Sequence, residues 1–148
     1  MHEAKELGKD TMPAFQREFR NYREQLTKPY LSDKDVTKEL IREAYARMKY
    51  DIRAAHIMVE LPKNPTPEDT LSAYKKVMAL KEKVEKGASF EDVAQASSDD
   101  TYSARKGGDL GYFTVFDMVY PFENAAYNTR VGKISNPVRS QFGYHIVK

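Results

Sequence analysis

With 148 residues, 41% of them hydrophobic and 31% charged, the chain has the size of one domain with a real core, or of a small domain plus a helical appendage. It holds too many aromatics for a disordered protein. Its 24 basic and 22 acidic residues are scattered and sum to a formal charge of +2, so charge leaves no nucleic-acid or membrane footprint, and with no cysteine there is neither thiol chemistry nor a thiolate metal site.

Taken in chain order, the first fifty residues read as helices. Phe15, Phe19, Tyr22 and Leu26 line one helical face, and Pro29 ends it. "SDKDV" opens a second helix with Ser32 or Asp33 as its cap, and Val36, Leu40, Ala44, Tyr45 and Met48 form its expected buried stripe. No apolar run approaches the roughly 18 residues of a membrane helix, and "MHEAKELGKD" lacks the apolar centre of a signal peptide.

At "DIRAAHIMVEL" the period changes, and the run of β-branched and apolar residues reads as a strand covered on both faces. "PKNPTPED" reads as a loop, because its prolines remove backbone donors. Leu71 to Lys86 reads as a helix carrying Leu71, Tyr74, Val77, Met78, Lys81 and Val84, with Gly87 just past its end. Ser89 caps a shorter helix through "FEDVAQAS". A polar stretch, a short helical "PFENAAY", a turn at "RVGKIS" and a final strand "GYHIVK" complete the order β-α-α-β-α-β. This order predicts an α+β domain whose small sheet is covered by helices.

Within the polar stretch, "RKGGDLGYF" is too rich in glycine for a plain connection. Its glycines allow positive φ and a close backbone approach, while Leu110 and Phe113 project apolar groups from the turn.

Four stretches in this order, "AAHIMV", "SDDTYSARKGGDLGYF", "PFENAAY" and "GKISNPVRSQFGYHIVK", give residues 52–148 a pattern that resembles the parvulin-type peptidyl-prolyl cis-trans isomerases. The resemblance implies a four-stranded antiparallel sheet surrounded by helices. It also implies acceleration of X-Pro bond rotation in unfolded or partly folded proteins, with no cofactor and no metal. Residues 1–51 form a separate helical segment. Its "YREQLTKPYLSDKDVTKELIREAYARM" is similar to the helices preceding the parvulin domain in SurA-like periplasmic folding factors, which implies export to a periplasm and membership of a longer chain.

Carried over by position, the resemblance assigns His56, Asp100, Ser140 and His145 to the catalytic centre. It assigns Leu110, Met118 and Phe122 to a proline pocket, with Phe113 and Phe142 extending the apolar groove, and implies that the glycine-rich turn brings its backbone close to that substrate groove as one wall of the pocket. Rotation about a prolyl bond meets a barrier of about 18–20 kcal/mol and transfers no net proton, so the histidines are expected to shape the site more than to act as acid and base. Asp100 can place negative charge near the substrate carbonyl, orient a histidine, or serve only as a turn acid beside Asp99. Leu110, Met118 and Phe122 would equally suit an ordinary core. The implied partners are proline-containing unfolded polypeptides. Phosphate recognition is not implied, since Lys63 stands alone in the loop "ELPKNPTPEDT". A second function class stays open beside the enzyme: a catalytically weak parvulin module that holds extended client segments.

Overall fold

The longest strand, β1 (Ile52–Glu60), is covered on both faces, and the rest of the domain is arranged around it. The computed structural model describes residue 13 and residues 34–148, without the side chains of 34–36. The chain divides into two compact units, residues 1–43 and 44–148. The helix expected from Phe15 to Leu26 lies outside the described residues, as does the first part, 22–33, of the stretch compared with SurA-like factors. The described elements are α1 (Lys34–Arg47), β1, α2 (Pro67–Glu85), α3 (Phe90–Ser97), α4 (Thr101–Ala104), β2 (Asp109–Phe113), α5 (Tyr120–Asn128), β3 (Val138–Arg139) and β4 (Gly143–Val147).

The four strands form one antiparallel sheet in the order β2-β1-β4-β3. Side chains alternate between its faces, as the pleat requires. Ile57 and Val59 of β1 and Ile146 of β4 meet Ala73, Val77 and Leu80 of α2 and Phe90, Val93 and Ala94 of α3 in one core. Ala54 and Val147 enter a second, with Phe113 and Phe122 and with the partly buried Leu110 and Met118 packed against it. In the pairing of β1 with β4, His56 stands opposite Val147 and Met58 opposite His145. The two histidines are therefore diagonal neighbours, within reach of each other across the ladder.

Three local expectations are corrected. Helix α2 starts at Pro67, inside the proline-rich stretch read as loop. Proline at the first helical position loses a donor that had no partner anyway, and Thr66 and Asp69 close a reciprocal capping box of 3.1 and 2.9 Å. The buried face of α2 is Ala73, Val77 and Leu80, whereas Leu71, Tyr74 and Met78 are exposed. Of the stripe expected on and just after α1, Leu40, Tyr45 and Met48 are exposed, whereas Arg47 is buried. In α2 the expected stripe holds at Val77, which is buried, and at Val84, which packs against the core.

The glycine-rich turn is also read differently. Gly107, Gly108 and Gly111 adopt φ of 69°, 84° and 73°. The close approach at Gly108 is to β1, not to a substrate groove. A Cβ there would lie 2.4 Å from the His56 carbonyl oxygen, and the His56 N–H donates to the Gly108 carbonyl at 2.9 Å. A Cβ at Gly111 would meet nothing within 4 Å. Gly108→Ala is therefore expected to cost about 2–3 kcal/mol, from left-handed strain plus a backbone clash, and Gly111→Ala about 1 kcal/mol from strain alone. Denaturant unfolding of the two variants checks this, and equal losses would show that the contact with β1 carries no weight.

Candidate active site

The sheet face that carries Ala54 and Val147 also carries both imidazoles. Their Nδ1 atoms are 3.3 Å apart, and the ring planes lie within 16° of each other. The ring centroids are 5.5 Å apart, well beyond the nitrogen separation, so the rings meet edge to edge and not face to face. Both residues are buried.

Each outer nitrogen of the pair has a partner. On the His56 side, Nε2 lies 2.8 Å from Asp100 Oδ2 and 3.0 Å from Ser103 Oγ, and the Ser103 hydroxyl donates to the same carboxylate oxygen at 2.5 Å. On the other side, His145 Nε2 lies 2.7 Å from Ser140 Oγ, which itself accepts the Phe142 N–H at 3.0 Å. A carboxylate only accepts, so His56 must donate from Nε2 and, when neutral, accept at Nδ1. His145 then donates from Nδ1 and accepts the Ser140 hydroxyl at Nε2. One direction of donation thus runs from the Phe142 amide through Ser140, His145 and His56 to Asp100.

Backbone bonds put Asp100 in place. The Asp99 N–H donates to the Met58 carbonyl at 2.9 Å, the Met58 N–H to Ser98 Oγ at 3.0 Å, and the Glu60 N–H to the Asp99 carboxylate at 2.9 Å. Asp99 thus fastens its segment to β1, and Asp100 caps α4 with Oδ1, accepting the Tyr102 N–H at 3.2 Å. Its other oxygen remains for His56. Asp100 is therefore a turn acid and a histidine partner at once. Ser103 was missed by sequence reasoning, although it stands one helical turn after Asp100, where an N-cap carboxylate meets side chains of the first turn.

The His145 pKa is lowered from 6.5 to about 4, chiefly by burial and then by the proximity of His56, with Asp100 opposing both. For Asp100, burial works to raise the pKa, but hydrogen bonds from Ser103 and His56 and attraction to His56 outweigh it, so the carboxyl lies below its ordinary value. The centre is thus built from a carboxylate and, at His145, a neutral imidazole.

Phe122 of α5 closes the apolar side. Its ring meets both imidazoles edge-on, with centroids 5.5 Å from each. It is 3% exposed, and Phe113 packs against it at 6.2 Å. Phe113 is likewise buried, so it backs Phe122 and lines no open groove. Leu110 and Met118, each partly exposed, stand at the edge of the same cluster. Phe142 is exposed on the turn between β3 and β4, tied to Ser140 by its N–H. Among the described residues, no three His, Asp or Glu side chains converge to hold a metal ion.

The sequence pattern of the PPIC-type PPIASE domain matches residues 39–148, so the chain belongs to this family of peptidyl-prolyl isomerase domains. It is 43% identical over 126 residues to foldase protein PrsA 1 of Bacillus cereus, a match covering 85% of this chain and 39% of that protein. It is 40% identical over 114 residues to foldase protein PrsA of Bacillus subtilis, covering 76% and 35%. The chain spans only part of the length of these relatives. Among solved structures it is similar to the peptidylprolyl isomerase PrsA of Bacillus anthracis, with 31% identity, a TM-score of 0.57, and coverage of 97% of this chain and 68% of that one. It is also similar to the parvulin NmPin of Nitrosopumilus maritimus, with 40% identity, a TM-score of 0.54, and coverage of 66% and 92%.

The electrostatics give a pH dependence. The folded state resists protonating His145 until about pH 4, while the unfolded chain takes that proton near 6.5, so the unfolded state binds more protons between these values. Stability is expected to fall by up to about 3 kcal/mol as pH drops from 6.5 to 4. Proton NMR should place the His145 titration near pH 4, and Asp100→Asn should push it lower still by removing the one opposing charge. A midpoint near 6.5 would contradict the burial described here.

Proposed function

We propose that the domain accelerates X-Pro rotation in unfolded or partly folded polypeptides by stabilising the twisted amide without covalent chemistry. The observation that carries this reading is the juxtaposition of the Asp100–His56–His145–Ser140 chain with Phe122, whose ring edges onto both imidazoles. In the planar amide, conjugation places partial negative charge on the carbonyl oxygen and makes the prolyl nitrogen a poor acceptor. Twisting reverses both. A proline ring seated against Leu110, Met118 and Phe122 would bring the substrate carbonyl near the Asp100 carboxylate, which disfavours the planar charge distribution more than the twisted one. Little reorganisation is needed, because every polar group of the centre already has its partner.

Clients of this kind fit the relatives' being foldase proteins, and the partial coverage of those relatives supports membership of a longer chain. Action in a periplasm is part of the proposal and rests on the similarity of residues 1–51 to SurA-like factors. Among the described residues, no helix is long and apolar enough to cross a membrane. Cell fractionation tests the location.

A second reading, client holding with weak catalysis, draws support from exposed aromatics on this domain, among them Tyr102, Tyr112, Phe116, Tyr120 and Phe142. The two readings separate in one set of measurements. In a protease-coupled or NMR exchange assay on short X-Pro peptides, Asp100→Ala is expected to lower kcat/KM by about tenfold or more. Met118→Ala is expected to lower it by a smaller factor with little loss of stability, since Met118 lies at the edge of the cluster. Absence of catalysis in the parent chain, with suppression of client aggregation that persists in Asp100→Ala, would replace the enzyme reading with the holding one.

A further inference from the structure

The loop between β2 and α5 carries an unusual conformation that the isomerase chemistry does not explain. Phe116 adopts φ of 74° as a residue 77% exposed, in a region that bulky residues rarely enter. Such a backbone persists only where the surroundings hold it. Within the turn, the Thr114 N–H donates to Asp117 Oδ2 at 2.9 Å and the Asp117 N–H to the Thr114 carbonyl at 3.4 Å; the bond that ties the turn to α5 is the Phe116 N–H donating to Glu123 Oε2 at 2.8 Å.

Glu123 is 3% exposed, and its other oxygen accepts from Arg47 Nη1 at 2.9 Å. Arg47 is 6% exposed, donates from Nη2 to Asn124 Oδ1 at 2.7 Å, and lies over the Tyr120 and Tyr127 rings at 5.8 and 5.0 Å. Tyr127 in turn donates its hydroxyl to the Tyr50 carbonyl at 3.0 Å. A buried ion pair adds little net stability over apolar groups of similar volume, so what it secures is geometry. The geometry in question belongs to the pocket. Glu123 directly follows Phe122 on α5, and the loop it fastens carries Met118 two residues after Phe116.

We propose that Arg47 and Glu123 are positioning residues of the isomerase site, fixing the loop of residues 114–119 and so the Met118 edge of the proline pocket. The proposal rests on the isomerase reading and adds that the working domain extends back to Arg47, before the first strand. Arg47 locks the carboxylate, the carboxylate holds the Phe116 amide, and the loop cannot relax from its left-handed turn while both bonds stand. Neither residue touches the substrate.

The test uses the whole chain. In Glu123→Leu, the Phe116 amide is expected to exchange with solvent at least about tenfold faster while the His56 and Ile146 amides keep their protection, and kcat/KM on an X-Pro peptide should fall by about tenfold. Glu123→Gln keeps one oxygen for the amide but sets its NH2 against Arg47, so both quantities should fall between those of the parent chain and those of Glu123→Leu. Should Glu123→Leu fail to fold, Arg47→Lys, which keeps the charge but loses the planar fork, is expected to give the same local pattern at smaller size. Unchanged kcat/KM in the folded variant, or faster exchange spread equally over β1 and β4, would overturn the proposal. If the parent chain proves inactive, the isomerase reading fails on that measurement, and exchange at Phe116 still decides whether the pair fixes the loop.

Discussion

The edge-to-edge hydrogen bond between two buried imidazoles is the constraint on which the rest of this domain depends. Two imidazoles removed from water present four ring nitrogens, and each one left without a partner costs roughly 1–3 kcal/mol. Among the described residues no buried side-chain nitrogen or oxygen lacks one. The outer nitrogens reach this state only because a carboxylate stands at one end and a hydroxyl, itself held by a backbone amide, at the other. Asp100, Ser103, Ser140 and the Phe142 amide are therefore one interdependent set with the histidines, whose energy is not divisible into independent pairs.

Much of the surrounding architecture follows from that set. The register of β1 on β4 brings the rings to diagonal positions, and one residue of slip would turn a histidine to the opposite core. Gly108 lets the turn after α4 lie directly on the His56 backbone, where a side chain has no room. Asp99 pins the segment that delivers Asp100. Phe122 then covers both rings with hydrocarbon, which supplies the desolvation that keeps His145 neutral and presents an apolar surface beside the carboxylate. The same features would serve proline binding and imidazole shielding together.

The sequence made the long-period features legible. Strand β1, the short helix after Ser89, the final strand and the α+β class follow from apolar alternation, caps and turn residues. The four separated stretches further led to the four-stranded sheet, which composition alone would not have given. Helix faces were harder to read. In α1 and α2 the largest apolar side chains mark a stripe of which Val77 is buried, yet burial also went to Ala73 and Leu80 and to a paired arginine, because small residues allow the helix to approach the sheet and an ion partner offsets the cost of burying charge. β3 is only two residues long and carries no periodicity at all. At the site, His56, Asp100, Ser140 and His145 stood in the quoted motifs, and Ser103 follows once Asp100 is known to cap α4, whereas the Arg47–Glu123 pair depends on a contact across the fold that no local spacing announces.

The most direct test of this account is the tautomeric state of the two rings, read from imidazole nitrogen-15 chemical shifts at neutral pH. The donation running from Ser140 to Asp100 requires His56 to carry its proton on Nε2 and His145 to carry its proton on Nδ1. Protonation of His145 on Nε2, or of both of its nitrogens, would break that sequence of donors and contradict the account.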